Sequence, residues 1–371
     1  MEDEVLFVTG MQRSGTTLLE RLFGSHPEVS LLSQPFPLLY VEAKGAFLRE
    51  SGEPDPPYPL NHLFLETRYG PADFAAFLDL YRPTSAQLRE LFTQMAGYSG
   101  QYTRFAAEQL ESAFDRIPAE GGFFGTVAAL YRSLAQRAGA RLYGGKETLC
   151  EEHLPYLLGR GGRCLVILRD PRDVLASLNH GRGPEYGGQL KPTLFNLRNW
   201  RKSVAFALHL EGHPGFQWLR YEDLVADPRA ALRRIGRAFG LADFEAVEIR
   251  GWTGNSSHGE RMGVTAESVG AYRRILPPEV SSFVEAVCLP ELRLLGYDTT
   301  LDAADAPRVL RSFAEPYEIK REGMDHDFAG PENAAHEVRR LELLASPASP
   351  AATPYFLFER AHERLRESLA K

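Results

Sequence analysis

Val5–Val8 is a short apolar run that enters the turn Gly10-Met-Gln-Arg-Ser-Gly15 and then a helix with Leu18, Leu19, Leu22 and Phe23 on its inner side. Strand, loop and helix N-terminus together hold phosphate on backbone N–H groups. Gly10 and Gly15 have the spacing of a triphosphate-binding loop, G-x-x-x-x-G-K-[ST]. Thr16, however, stands where that loop has its lysine, and the cation has moved inside the loop, to Arg13. Nothing at position 16 can bridge β and γ phosphates. A 5′-phosphate can still rest on the N–H groups and on the hydroxyls of Ser14, Thr16 and Thr17. Arg13 is then left to address whatever group is bonded to that phosphate.

A second segment points the same way. Cys164–Leu168 is continuously apolar, as a central parallel strand buried on both faces should be. It runs into Arg169-Asp-Pro-Arg-Asp-Val-Leu-Ala-Ser177, where Asp170 is placed to cap a helix whose first residue is Pro171. Arg169 falls at the carboxyl end of the strand, and Ser177 about two turns along the helix. Open α/β sheets bind ligands beyond those strand ends. Arg169 and Ser177 would hold a second phosphate. Two phosphate sites without a triphosphate lysine suggest a nucleotide carrying both a 3′- and a 5′-phosphate.

With these residues the chain resembles the sulfotransferases that use 3′-phosphoadenosine 5′-phosphosulfate (PAPS). Arg13-Ser-Gly-Thr-Thr17 is similar to their 5′ loop, and Arg169–Ser177 to their 3′-phosphate motif. The bacterial and tyrosylprotein branches share a G-x-K-[TE] segment ahead of the next strand, here Gly144-Gly-Lys146-Glu147, and a Tyr-Glu-Asp-Leu strand end, here Tyr221-Glu-Asp-Leu224. A late Ser-Val-Gly loop followed by an aromatic and a basic residue matches Ser268-Val269-Gly270-Ala-Tyr272-Arg273. The matches keep family order over residues 5–298.

The resemblance implies an α/β fold, with a central parallel sheet flanked by helices, and a donor, PAPS, that leaves as 3′-phosphoadenosine 5′-phosphate (PAP) with no metal. Arg13 and the N–H groups of residues 14–17 would stabilise the leaving phosphate, and Lys146 the sulfuryl oxygens. Arg261 and the 268–273 loop would close over the 3′-phosphate and adenine, with Tyr221 as a further adenine or phosphate contact. The chain departs from the family at the base. Tyrosylprotein-type enzymes carry a catalytic Glu shortly after a His-Pro-Glu-Val segment. Here His26-Pro-Glu-Val29 is followed by Ser33 and Gln34 at that place, and neither can take a proton at neutral pH. His180 is the first replacement candidate, followed by Glu147 and His153. A phenolic acceptor would need less help than an alcohol.

The net charge of −7 argues against a nucleic-acid partner. No apolar run approaches the ~20 residues of a membrane span. The acidic start, Met1-Glu-Asp-Glu, leads straight into a strand, so no signal peptide and a cytoplasmic chain are expected, whereas Golgi members of the family are anchored. Cys150, Cys164 and Cys288 are odd in number and far apart, which fits neither a disulfide framework nor a zinc site.

Residues 1–300 read as the sulfotransferase domain, with 34–130 as an aromatic-rich helical insertion capping the substrate crevice. Residues 301–371 read as a C-terminal extension. Helices are expected near 123–138, 193–211, 230–239 and 278–295, and a strand over 216–221. Near the end, Phe358, Ala361, Leu365 and Leu369 form a stripe that docks on the body or on a second copy, making a homodimer. The leading expectation is a soluble sulfotransferase of secondary metabolism acting on a small-molecule hydroxyl. A P-loop kinase or nucleotide triphosphatase, and a PAPS- or PAP-binding protein without turnover, are the alternatives.

Overall fold

Five short strands carry the architecture: β1 (Glu4–Thr9), β2 (Val29–Ser33), β3 (Leu142–Lys146), β4 (Arg163–Leu168) and β5 (Phe216–Arg220). The computed structural model describes residues 4–52, 69–98, 100–118, 120–180, 192–244, 264–317, 330–345 and 355–369. The strands form one sheet in the order β2-β3-β1-β4-β5. β1 pairs parallel with β3 and β4, and β2 parallel with β3. β1 and β4 are buried along all but their first residue, as their unbroken apolar sequences require.

The register brings strand ends together. Val8 lies opposite Lys146, Thr9 opposite Val166, and Ser33 opposite Lys146. Thr9–Gly10, Ser33–Gln34 and Lys146–Glu147 therefore share one carboxyl edge, where parallel α/β sheets bind ligands.

Two of these strands escape the sequence pattern. β2 is only five residues long and interleaves serine with leucine, and β3 contains two glycines, residues depleted in strands. Lys146 thus ends a strand of its own rather than preceding the next one, and Cys164–Leu168 belongs to the fourth strand. The glycines have a packing reason. A methyl on Gly144 would fall on the backbone carbonyl of Leu6. One on Gly145 would meet the Tyr131 ring at 2.5 Å. Tyr131, from the helix Gly122–Leu134, covers that face of β3, and its hydroxyl lies 2.8 Å from that of Tyr40. β5 stops at Arg220, and Tyr221 opens a short helix, Tyr221–Ala226, instead of extending the strand.

The chain forms two compact units. The first comprises Met1–Met11, Gly15–Ile167 and Leu210–Arg250, and it contains the sheet. Its aromatic segment is helical over Pro37–Glu50, Pro71–Leu80 and Ser85–Met95, and Phe36, Tyr40, Phe47, Phe74 and Phe92 are buried there as core. A fully buried ion pair, Lys44 to Glu152 at 2.8 Å, fixes the first of these helices.

The second unit comprises Gln12–Ser14, Leu168–His209 and Gly251–Lys371. In it, helices Pro171–His180, Thr193–Leu210 (through His209), Pro278–Leu294 and Pro331–Ala345 are tied by buried charge. Glu337 accepts from Arg198 at 3.1 Å and Arg201 at 2.5 Å, and Arg340 pairs with Glu291. Burial opposes the Glu337 charge, but Arg201 and its neighbours override it and bring its pKa down to about 2. The tail stripe docks on this same unit. Phe358, Ala361 and Leu365 are buried, and the Phe358 ring stacks on His209 at 3.9 Å. Pro347–Pro354, whose prolines and small residues read in the sequence as an extended linker, lies outside the described residues.

Replacing Gly144 by alanine is expected to cost about 3 kcal/mol or more, because the obstacle is backbone and cannot rotate away. Gly159→Ala, at an open helical position, should stay within about 0.5 kcal/mol of wild type. Urea unfolding of both variants checks the contrast, and equal midpoints would contradict the packing argument.

Candidate active site

The loop after β1 is shaped by left-handed backbone. Arg13 sits at φ 65° and Gly15 at φ 97°. For a residue with a side chain that conformation is uncommon and points to a functional constraint. Gly15 caps the helix Thr16–Phe23 and supplies no side-chain hydrogen bond to its first turn, the arrangement that leaves N–H groups for an anion. Only glycine fits there. A methyl at 15 would strike the Tyr221 ring and approach Ile167 Cδ1 to 3.3 Å. Tyr221 is thereby placed as the buried ring against which the loop turns.

In the second unit, the loop's cation meets the second motif. Arg13 Nε donates to Ser177 Oγ at 3.0 Å. Arg169 donates through Nη1 to the carbonyl of Arg13 at 3.1 Å and through Nη2 to that of Ser268 at 2.8 Å. Arg13, Arg169, Ser177 and Ser268, selected separately from sequence, thus form one cluster, and Arg13 is engaged rather than free. Asp170 caps its helix as expected, accepting from the Arg172 N–H at 2.9 Å.

The late loop is held by a residue that the sequence reading passed over. Asp173 accepts from the N–H groups of Gly270 at 2.7 Å and Tyr272 at 2.9 Å, with Gly270 at φ 72°. Burial raises the Asp173 pKa, against the pull of Arg169. Arg172 lies 4.4 Å from the Tyr272 ring centre and pairs with Asp170 and Glu285 in the interior, and Arg273 lies 4.8 Å from the same ring on its exposed side. Val269 is partly exposed at the turn. The Arg169 carbonyl accepts from Trp200 Nε1 at 2.7 Å. The doubled Arg-Asp of Arg169-Asp-Pro-Arg-Asp173 was the available signal: Arg169 and Asp173 hold the loops, while Asp170 and Arg172 pair in the interior.

In the first unit, Lys146 is wholly buried at the end of β3. Its ammonium donates to Gln34 Oε1 at 2.7 Å and sits 5.1 Å from the Tyr102 ring centre. Burial lowers its pKa to about 8, with Glu147 and Glu20 acting in opposition. Glu147 is also buried, and its Oε1 accepts from the Phe36 N–H at 2.8 Å. Burial pushes its pKa up to about 8.

The other base candidates sit as follows. His180 Nε2 lies 2.8 Å from the Tyr317 hydroxyl, and burial lowers its pKa. His153 is enclosed by the rings of Tyr40, Phe74 and Phe123. Arg261 lies outside the described residues. Among the described residues no group of three or more His, Cys, Asp or Glu side chains is placed to hold a metal ion. No described helix is long and apolar enough to cross a membrane.

The sequence profile of the Sulfotransferase family matches residues 6–246, more than half of the chain. The chain belongs to this family. The match takes in the loop after β1, Lys146, Arg169, Ser177 and Tyr221, while the Ser268–Arg273 loop follows it. Over 112 residues the chain is 35% identical to carbohydrate sulfotransferase 7 of Mus musculus, covering 28% of this chain and 22% of that protein. Over 171 residues it is 25% identical to carbohydrate sulfotransferase 3 of Tetronarce californica, covering 38% and 37%. The matched stretches thus span well under half the length of these relatives. Among solved structures, the sulfotransferase domain from the curacin biosynthetic pathway is 16% identical, with 81% of this chain and 99% of that chain covered at a TM-score of 0.44.

Glu147 makes a pH signature. The folded state keeps its proton up to about pH 8, whereas the unfolded carboxyl loses it near 4.5. Between those values the unfolded state binds fewer protons, so this group's contribution to stability falls as pH rises. Glu147→Gln should therefore gain on wild type progressively from about pH 5 to about pH 8 in urea unfolding. A difference that stays constant across that window would show that Glu147 is ionised in the fold.

Proposed function

We propose that this family member transfers a sulfuryl group from PAPS to the hydroxyl of a small-molecule acceptor, with a phenol favoured. The observation that carries the reading is the cluster of Arg13, Ser177 and Arg169, in a chain whose phosphate-loop sequence has Thr16 in the lysine position. A triphosphate enzyme needs a cation at position 16, and this chain has none. Its cation is bonded instead to the motif suited to a second, separate phosphate.

The residues fit the donor. PAPS supplies a sulfuryl group on a 5′-phosphate, and a 3′-phosphate that nucleoside triphosphates lack. The N–H groups at Gly15–Thr17, the helix dipole and the hydroxyls of Ser14, Thr16 and Thr17 would hold the 5′-phosphate, with Arg13 countering the charge it gains as the S–O bond of the phosphosulfate anhydride breaks. Arg169, Ser177 and the loop Ser268–Arg273 would hold the 3′-phosphate and adenine. Lys146 would face the sulfuryl oxygens, whose spread charge calls for positioning and electrostatic stabilisation. Gln34 has a carboxamide, which cannot take a proton. That supports an acceptor hydroxyl of low pKa, such as a phenol, near 10.

Calorimetric titration with PAP, using ATP with Mg²⁺ as the control, tests the nucleotide assignment. Wild type should bind PAP well and ATP poorly. Ser177→Ala and Arg169→Ala should each weaken PAP binding about tenfold or more, since each removes a hydrogen bond to a charged phosphate. Equal binding of ATP and PAP, indifferent to both substitutions, would favour a P-loop kinase or nucleotide triphosphatase.

A further inference from the structure

Gln34 follows β2 at φ 42°, a left-handed conformation that a side-chain-bearing residue adopts only when its surroundings hold it there. Four hydrogen bonds do so. Its N–H donates to the Lys146 carbonyl at 2.8 Å, and its carbonyl accepts from the Tyr102 N–H at 3.3 Å. Its side chain accepts from the Lys146 ammonium at 2.7 Å through Oε1 and donates to the Gly100 carbonyl at 2.7 Å through Nε2. The amide has one orientation that satisfies both contacts, because the flipped form would set NH₂ against ammonium and oxygen against carbonyl. A carboxylate could serve the ammonium but not donate to Gly100. Among the described residues no carboxylate lies within salt-bridge distance of Lys146. Glu20 and Arg21 on the helix Thr16–Phe23, Glu147 beside it and the Tyr102 ring are the charged and titratable groups that face it.

We propose that Gln34 is the positioning residue for Lys146. Its carboxamide ties the ammonium to the Gly100–Thr103 loop and leaves the lysine charge unneutralised for the transferring group. The second half of this statement rests on the sulfuryl-transfer reading above. The tie itself does not. The same bridge couples the lysine to the loop that carries Tyr102, whose ring is partly exposed over a buried ammonium. Loop and lysine are therefore set together.

The test is NMR titration of the full chain labelled with [¹³Cε]lysine, in wild type, Gln34→Glu and Gln34→Ala, with urea unfolding measured on each as a check on the fold. Lys146 should titrate near 8 in wild type. Gln34→Glu should raise its midpoint by about one unit or more, because it adds a carboxylate at hydrogen-bond distance, and Gln34→Ala should lower it by removing the acceptor. With PAPS and 4-nitrophenol, the basic limb of the rate profile should follow the same midpoints. Gln34→Ala should lose about a hundredfold in kcat with KM nearly unchanged, as misplacement of a charge-stabilising group does. A Lys146 midpoint unmoved by either substitution, in variants that still unfold cooperatively in urea, would overturn the proposal. Should wild type fail to turn over PAPS, the NMR result still decides the tie, so the two readings fail separately.

Discussion

Arg169 is the tie on which the loop architecture rests. One guanidinium binds the carbonyls of Arg13 and Ser268, so two segments far apart in sequence take their shape from one residue at the end of β4. Arg13, held in left-handed backbone, can then turn its own side chain to Ser177. Trp200 fixes the backbone of Arg169, and Asp173, one helical turn on, holds the N–H groups of Gly270 and Tyr272. These bonds run from 2.7 to 3.1 Å, and those made by Arg169 and Asp173 carry a charge on one side, which strengthens them. Without the tie, the loop would be a short glycine turn with one strained residue.

The sheet edge supplies the other chemistry. Parallel register sets Lys146 beside the end of β1 and opposite Ser33, and the chain leaving β2 wraps back over the lysine through Gln34. Glu147 binds the same wrapping segment at Phe36. Successive residues on one strand end thus clamp one loop by opposite means, a buried ammonium on an amide and a buried acid on a backbone N–H. Burial brings both pKa values to about 8, which makes this edge sensitive to pH in the mildly alkaline range.

Much of this was legible in the chain because the signals were local and chemical. Glycine spacing, the missing lysine, the apolar run of β4 and the Arg-Asp-Pro motif each name a conformation or a charge that only a few structures can use. β2 and β3 were hidden for a physical reason. Their stability comes from burial in the fold, β2 at the sheet edge and β3 between β2 and β1, rather than from intrinsic propensity, and the glycines of β3 admit Leu6 and Tyr131, which no local pattern reveals. The roles of Gln34 and Asp173 were hidden likewise, since each depends on backbone groups about 65 to 100 residues away. The aromatic richness of 36–81 was visible and read as core in the main, and Phe36, Tyr40, Phe47 and Phe74 are buried as such.

The most direct test of the account is to follow the fate of the donor. PAPS is incubated with the full chain and a panel of phenols and alcohols without added metal, and PAP and modified acceptor are read by mass spectrometry beside a parallel incubation with ATP and Mg²⁺. The account predicts PAP formation matched mole for mole by acceptor heavier by one SO₃ group, with phenols ahead of alcohols and no ADP from ATP. Consumption of ATP with PAPS left intact would contradict it.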